Sequence, residues 1–386
     1  MIKVPKTLTL NEVESLYALI KNPTSQELAI PTDLHCSQLG GVGGLIQLLV
    51  TWSKRHLNGC LLIHTTRDDL IGSYLRNLAH SHHGLIAMLL SADIRTANRQ
   101  QSILPEGFGI YDQVLKKMVG GEYDQRSGPE ILLICADDTE HAFIPQFYEL
   151  GAGIRDQVKG QREFIDLADG LILNLSKRYK RSYHLDDRLR ENLGTTLYEL
   201  FKNTHQWARH EVDGEEVSRS VRGIRFELTR LAQLNLGRQP LRTQAYVKAA
   251  EEKRGNVDFL EITLFDSGPG LVARGLGHRV DEATSLDSEY AAVVKCLGKY
   301  STSSGKDHRG IGLLEVMRTL TNADASLRIR TGRLGLFRNF VTDPLRDDGD
   351  LWLFDWFTES DRITEGHTVE GLLLSILIPI DLGGKR

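Results

Sequence analysis

The chain of 386 residues has only four cysteines, Cys36, Cys60, Cys135 and Cys296, and no Cys-x-x-Cys pair among them. That scatter argues against a zinc ribbon and against a disulfide framework. Cys60 and Cys135 sit inside apolar runs, the usual setting of a buried thiol. No run of eighteen or more apolar residues occurs, so no membrane span is expected. The opening Met1-Ile2-Lys3-Val4-Pro5-Lys6 lacks the apolar stretch of a secretory signal, and a cytoplasmic protein is the expectation. A basic excess is missing as well. With 47 Lys and Arg against 51 Asp and Glu, the formal net charge is −4, which indicates no chain-wide nucleic-acid footprint. Internal repeats and low-complexity stretches are absent.

What is present suits two domains of ordinary size, or three, with 41% hydrophobic residues to build their cores. In the first part, short apolar runs at 27–30, 60–63, 85–90 and 131–135 read as strands, and a helix begins at Leu45 to Trp52. Alternation of this kind predicts an α/β module over 1–160. Residues 162–178 read as a helix within a linker spanning 161–184, and the basic cluster at 177–181 reads as its solvated end. From Leu185 the pattern changes: Leu185, Leu189, Leu193, Leu197 and Leu200 recur at helical spacing. Strands follow at 258–265, 325–330 and 372–380, with 351–357 as a further candidate, so 185–386 is read as α+β with a mixed sheet.

Three separated pieces of the second half carry chemistry. On the long helix, Glu199 and Asn203 stand four positions apart and share a face. An amide oxygen can ligate a hard divalent cation, and a carboxylate one turn away can orient or deprotonate a water. Next, the apolar strand 260–264 runs into Asp266-Ser267-Gly268-Pro269-Gly270. A carboxylate at a strand end can accept an amino proton, and the glycines let backbone approach a planar ring. Last, Gly310-Ile311-Gly312-Leu313 opens a helix after the polar run 301–309. Free N–H groups at a helix start favour anions, and Lys306 would add positive charge there. The run is no Walker A loop: it has no Ser or Thr after Lys306 and no glycine at the required upstream position.

In order and content these pieces resemble the GHKL superfamily, the Bergerat-fold ATPases that include gyrase-type topoisomerases, large chaperones, histidine kinases and mismatch-repair proteins. The resemblance covers about 185–380. It implies ATP with Mg2+: Asp266 on the adenine amino group with Gly268 and Gly270 beside it, Asn203 on magnesium, Glu199 as general base, Gly310, Gly312 and Leu313 at the helix beneath the phosphates, and a lid at about 298–309. It implies a two-layer sandwich. The family often has Thr after the glycine of its last strand, where this chain has Leu372; Thr368 or Ser375 would have to supply that hydroxyl. The stretch between the first two motifs is long, and 213–256, with Arg219, Arg222, Arg225 and Arg230, reads as a charged, partly helical insertion. A shorter stretch, Asp33 to Arg55 followed by Gly59 to Ile63, resembles a STAS domain.

The functional expectation is an ATP-binding and ATP-hydrolysing regulatory protein whose nucleotide state switches a protein partner, a second copy of the chain being one such partner. Two alternatives stand beside it: a Ser/Thr kinase of the anti-sigma type acting on a STAS-like partner, and a nucleotide-binding module without turnover. His184 stands too close to the first motif to be the phospho-acceptor of a histidine kinase, and neither a histidine kinase nor a transducer-bearing ATPase is the expectation.

Overall fold

The computed structural model describes residues 1–65, 67–98, 101–123, 128–151, 156–298, 312–346, 351–358 and 360–382. The chain begins with β1 (Ile2–Lys3), β2 (Thr7–Leu8), α1 (Leu10–Ile20), β3 (Glu27–Ala29), β4 (His35–Cys36), α2 (Gly41–Arg55) and β5 (Cys60–Ile63). It continues through α3 (Asp68–Ala79), α4 (His82–Leu90), β6 (Asp93–Thr96), α5 (Leu104–Val119), β7 (Glu130–Ala136), α6 (Gln161–Tyr179), β8 (Tyr183–His184) and α7 (Asp187–Trp207). Then come β9 (Val221–Thr229), α8 (Leu241–Arg254), β10 (Val257–Asp266), α9 (Gly270–Leu276), α10 (Leu286–Leu297), α11 (Gly312–Asn322), β11 (Ser326–Gly332), β12 (Leu334–Asn339), β13 (Phe354–Asp355) and β14 (Val369–Leu382).

Helices and strands are mixed throughout. A small sheet, β1-β3-β5-β6, is wholly parallel. A large one runs β13-β12-β11-β14-β10-β9-β7, with β8 beside β14. Every pairing in the large sheet is antiparallel among the described residues, so the mixed sheet expected for the second half is corrected. So is its two-layer packing. Helix α7 covers one face, but α2 from the first half lies across β10 and β14 on the other. Glycines on α2 permit that approach, for a Cβ on Gly43 would sit 2.7 Å from Thr263 Cγ2.

Three further readings change. Residues 85–90 belong to a helix, not a strand: Ser81 caps it, accepting from Gly84 N at 3.2 Å, and six of its nine residues are apolar, five of them buried in the core. An all-round apolar segment has no face by which a period can be read. Strand β7, placed by its sequence in the 1–160 module, is the edge of the large sheet beside β9. And 213–256 is no decoration, because β9 lies between β10 and β7 and is buried along most of its length. Two of its arginines, Arg222 and Arg225, are internal. Arg222 is paired with Asp137 at 2.6 Å, and Arg225 with Glu130, Glu227 and Glu261. Buried guanidinium groups need such partners. In the basic cluster, Arg178 likewise turns inward, donating to the carbonyls of Gly128 and Glu130, and Arg181 pairs with Asp258 at 2.9 Å.

Candidate functional site

Helix α7 organises the site. Asp186 starts it, its side chain accepting from Leu189 N at 2.7 Å. Leu189, Leu193, Leu197, Leu200 and Phe201 bury one stripe, which leaves Glu199, Asn203 and Trp207, four residues apart, along a half-buried edge. At its Glu199 end the helix meets α11. A Cβ on Gly312 would collide with Glu199 Oε2, and Thr196 and Thr319 join the two helices through a 2.7 Å hydroxyl contact. At its far end α7 meets the turn after β10, where a Cβ on Gly268 would sit 2.6 Å from Ala208 Cα. Two stretches far apart in sequence thus line one helix.

Each polar group there has a definite environment. Burial beside α11 raises the Glu199 carboxyl above its ordinary range, opposed by Lys202, whose Nζ lies 3.9 Å away. A raised carboxylate is a stronger base once ionised. Asn203 donates Nδ2–H to the Glu199 carbonyl at 2.8 Å, so Oδ1 is the end of the amide suited to a cation. Asp266 is buried at the last position of β10, where its Oδ1 accepts from Gly268 N at 2.9 Å. Burial pushes its carboxyl up to about 6, against the opposing pull of that N–H, Lys54 and Arg222. Gly270 has φ +78°, and a Cβ there would meet Gly371 O at 2.6 Å and Thr331 Oγ1 at 2.7 Å; only glycine suits both the angle and the space. Gly312 begins α11 and Leu313 packs partly buried against the core. Lys306, Gly310 and nearly all of the expected lid lie outside the described residues.

The expected substitutes for the missing strand hydroxyl fare differently. Ser375 is opposite Thr263 and lies beside Gly40, on the face away from Asp266. Thr368 precedes β14, and its carbonyl accepts from Arg55 Nη2 at 2.8 Å. A hydroxyl that does stand beside the Asp266 turn is Thr331 of β11, which accepts from Leu271 N at 3.1 Å. No spacing rule in the sequence points to it. Equally unforeseen is Lys54, at the end of α2. Its Nζ donates to Glu211 Oε1 at 2.6 Å, Ser267 O at 3.0 Å and Gly268 O at 3.3 Å, so the first half of the chain holds the Asp266 turn. Elsewhere, Asp112, Glu140 and His141 bring three ligand atoms within 4.8 Å of one another, but Lys116 already pairs with both carboxylates, at 2.8 and 3.1 Å.

No helix among the described residues is long and apolar enough to cross a membrane. No family model, no curated protein and no solved structure matches the chain.

Proposed function

We propose that the polar edge of α7, with the Asp266 turn and the start of α11, binds ATP with magnesium in the manner of a Bergerat-type domain, and that the protein hydrolyses it. The observation that supports this reading most is the arrangement along one helix: Glu199 against Gly312 at one end, and the Asp266–Gly268 turn against Ala208 at the other. In the proposed complex Asp266 accepts a hydrogen bond from the adenine amino group, and Thr331 stands by the same turn. Asn203 Oδ1 would hold magnesium, which supplies charge neutralisation at the phosphates. Glu199 orients a water and takes its proton as the water oxygen bonds to the γ-phosphorus. The bond from that phosphorus to the bridging oxygen breaks, giving ADP and inorganic phosphate. A protein partner that reads the nucleotide state, a second copy of the chain included, belongs to the same proposal.

The test is direct. Purified protein is titrated with ATP and GTP, with and without magnesium, and phosphate release is followed. Preference for ATP, magnesium dependence and released phosphate support the reading. Equal affinity for the two nucleotides removes Asp266 from the adenine role, and binding without phosphate release reduces the protein to a nucleotide-binding module. Label appearing on an added protein instead of in solution favours the kinase alternative.

A further inference from the structure

On the face of the large sheet away from Asp266 lies a cavity of about 860 Å³, a volume that suits an organic molecule of moderate size. It is bounded by the segment 32–42, by Asn77 and 80–83 around the start of α4, and by 233–239. Its floor is the sheet itself, and there Glu130, Glu227 and Glu261 stand directly opposite one another on β7, β9 and β10. Like charges in opposed register repel. One guanidinium on the floor serves all three: Arg225 Nη2 bonds Glu130 and, at 2.6 Å, Glu227, while Nη1 lies 3.4 Å from Glu261. Glu261 is held further by Gly40 N at 2.8 Å and Thr263 Oγ1 at 3.1 Å, whereas the Glu227 side chain keeps 31% of its exposure. Asp33, already paired with Lys6 at 2.7 Å, adds a carboxylate and Arg238 a second guanidinium to the lining. His83, buried there, has its imidazole driven down to about 4 by burial and is neutral at pH 7, so carboxylates outnumber cations.

The guest that suits this floor is larger than a metal ion. The floor glutamates are not among the residues that bring three ligand atoms within 4.8 Å of one another. Neighbouring strands set Glu130 and Glu227, the two floor glutamates that keep some exposure, about 5 Å apart, a spacing that matches two amino groups separated by three methylenes, with the buried Glu261 behind them. Leu34, Leu39, Val42 and Leu234 also line the cavity and are available to the methylenes.

We propose that this cavity is a second ligand site, separate from the site proposed along α7, and that it takes a linear aliphatic polyamine. The full chain, free of nucleotide, is titrated calorimetrically with spermidine at fixed ionic strength; the outcome is therefore independent of the ATP reading. One saturable site is expected. Glu227→Gln should weaken it about tenfold or more, the worth of a charge-assisted hydrogen bond. Asn77→Lys, at an exposed position lining the cavity, should weaken it comparably without touching the floor, so a folding defect in the first variant leaves the second as a test. Absence of saturable binding overturns the proposal, and so does binding unaffected by both substitutions. Manganese alone binding with the same sensitivity to both variants assigns the cavity to a metal instead and overturns the polyamine.

Discussion

Asp266 and Glu261 stand on one strand, five residues apart and on opposite faces, and both are buried. Burial raises both carboxyls, yet their surroundings differ in kind. Glu261 is enclosed by Gly40 N, Thr263 Oγ1 and the Arg225 guanidinium. Asp266 accepts from Gly268 N within its own turn, at the end of the sheet and against the end of α7. A carboxylate has about four acceptor positions. Glu261 has three donors, of which Gly40 N ties it to the first half of the chain, while Asp266, with Gly268 N and the Leu372 N–H, has more capacity left for a ligand donor. Burial alone therefore does not separate a structural carboxylate from a binding one; the count of donors around it does.

The widest separation between binding and other roles is expected at Glu199. Glu199→Gln keeps the size of the side chain and its place beside Gly312 while removing the base. Phosphate release should fall by roughly 10²–10⁴, with ATP affinity and melting temperature nearly unchanged. Affinity and stability falling together would make Glu199 a packing residue of the α7–α11 contact, and undiminished turnover would remove it from the chemistry.

The two faces also predict opposite responses to acid. His83, beside the cavity, has a folded pKa of about 4 against an ordinary 6.5, chiefly through burial. Its contribution is present above 6.5 and is lost as pH falls toward 4, because only the unfolded chain takes up the proton in that window. Between pH 7 and pH 5 the loss is about 2 kcal/mol. Asp266 has the reverse sign. Its folded pKa of about 6 lies above the ordinary 3.8, so the folded chain binds the proton first and gains about 1 kcal/mol over the same interval. Denaturant titrations at pH 7 and pH 5 measure both: His83→Gln should flatten the wild-type loss, and Asp266→Asn should steepen it. Identical pH slopes in all three proteins would mean that neither group has the environment described.

Asp266 bears on affinity too. Asp266→Ala should weaken ATP by about ten- to a hundredfold, the range of a hydrogen bond to a charged group. Wild-type affinity should rise as pH passes upward through about 6, where the carboxylate ionises, and the Ala variant should lack that rise.

How the sequence carried this information follows from where the side chains stand. The helix 187–207 was legible because its apolar stripe repeats at helical spacing, and the end of β10 because an apolar run stops at Asp266. Strand β9 was hidden by its own arginines. Val221 to Thr229 has a charge at every second or third place, which reads as solvated surface until Asp137 and Glu130, more than eighty residues earlier in the chain, are brought beside Arg222 and Arg225. Helix α4 was hidden for the opposite reason, since Leu85 to Leu90 has no polar face to betray a period. Thr331 and Lys54 lie on β11 and α2, and no local pattern joins either to Asp266; only tertiary packing does. Partner residues supplied by a distant element leave no spacing to read.

Lys54 gives the finest test of the contrast between the faces, because it reaches the Asp266 turn from a helix that otherwise serves the opposite side of the sheet. Its ammonium bonds Glu211, Ser267 O and Gly268 O, and with Arg222 it holds the Asp266 carboxyl lower than burial alone would. Arg274 of α9 also senses Asp266, and Arg279 would remain with Glu211, at 3.1 Å, so removing Lys54 should loosen the turn without stranding the glutamate. Lys54→Met is expected to weaken ATP only about threefold to tenfold at pH 7, the scale of one net hydrogen bond. It should also move the pH midpoint of affinity upward, because one cation near Asp266 is gone. Lys54→Arg restores the charge and should return the midpoint toward the wild-type value. A loss of affinity that is the same at every pH, with no rescue by arginine, would show that Lys54 acts through packing alone and that the two halves are not electrostatically linked at this turn.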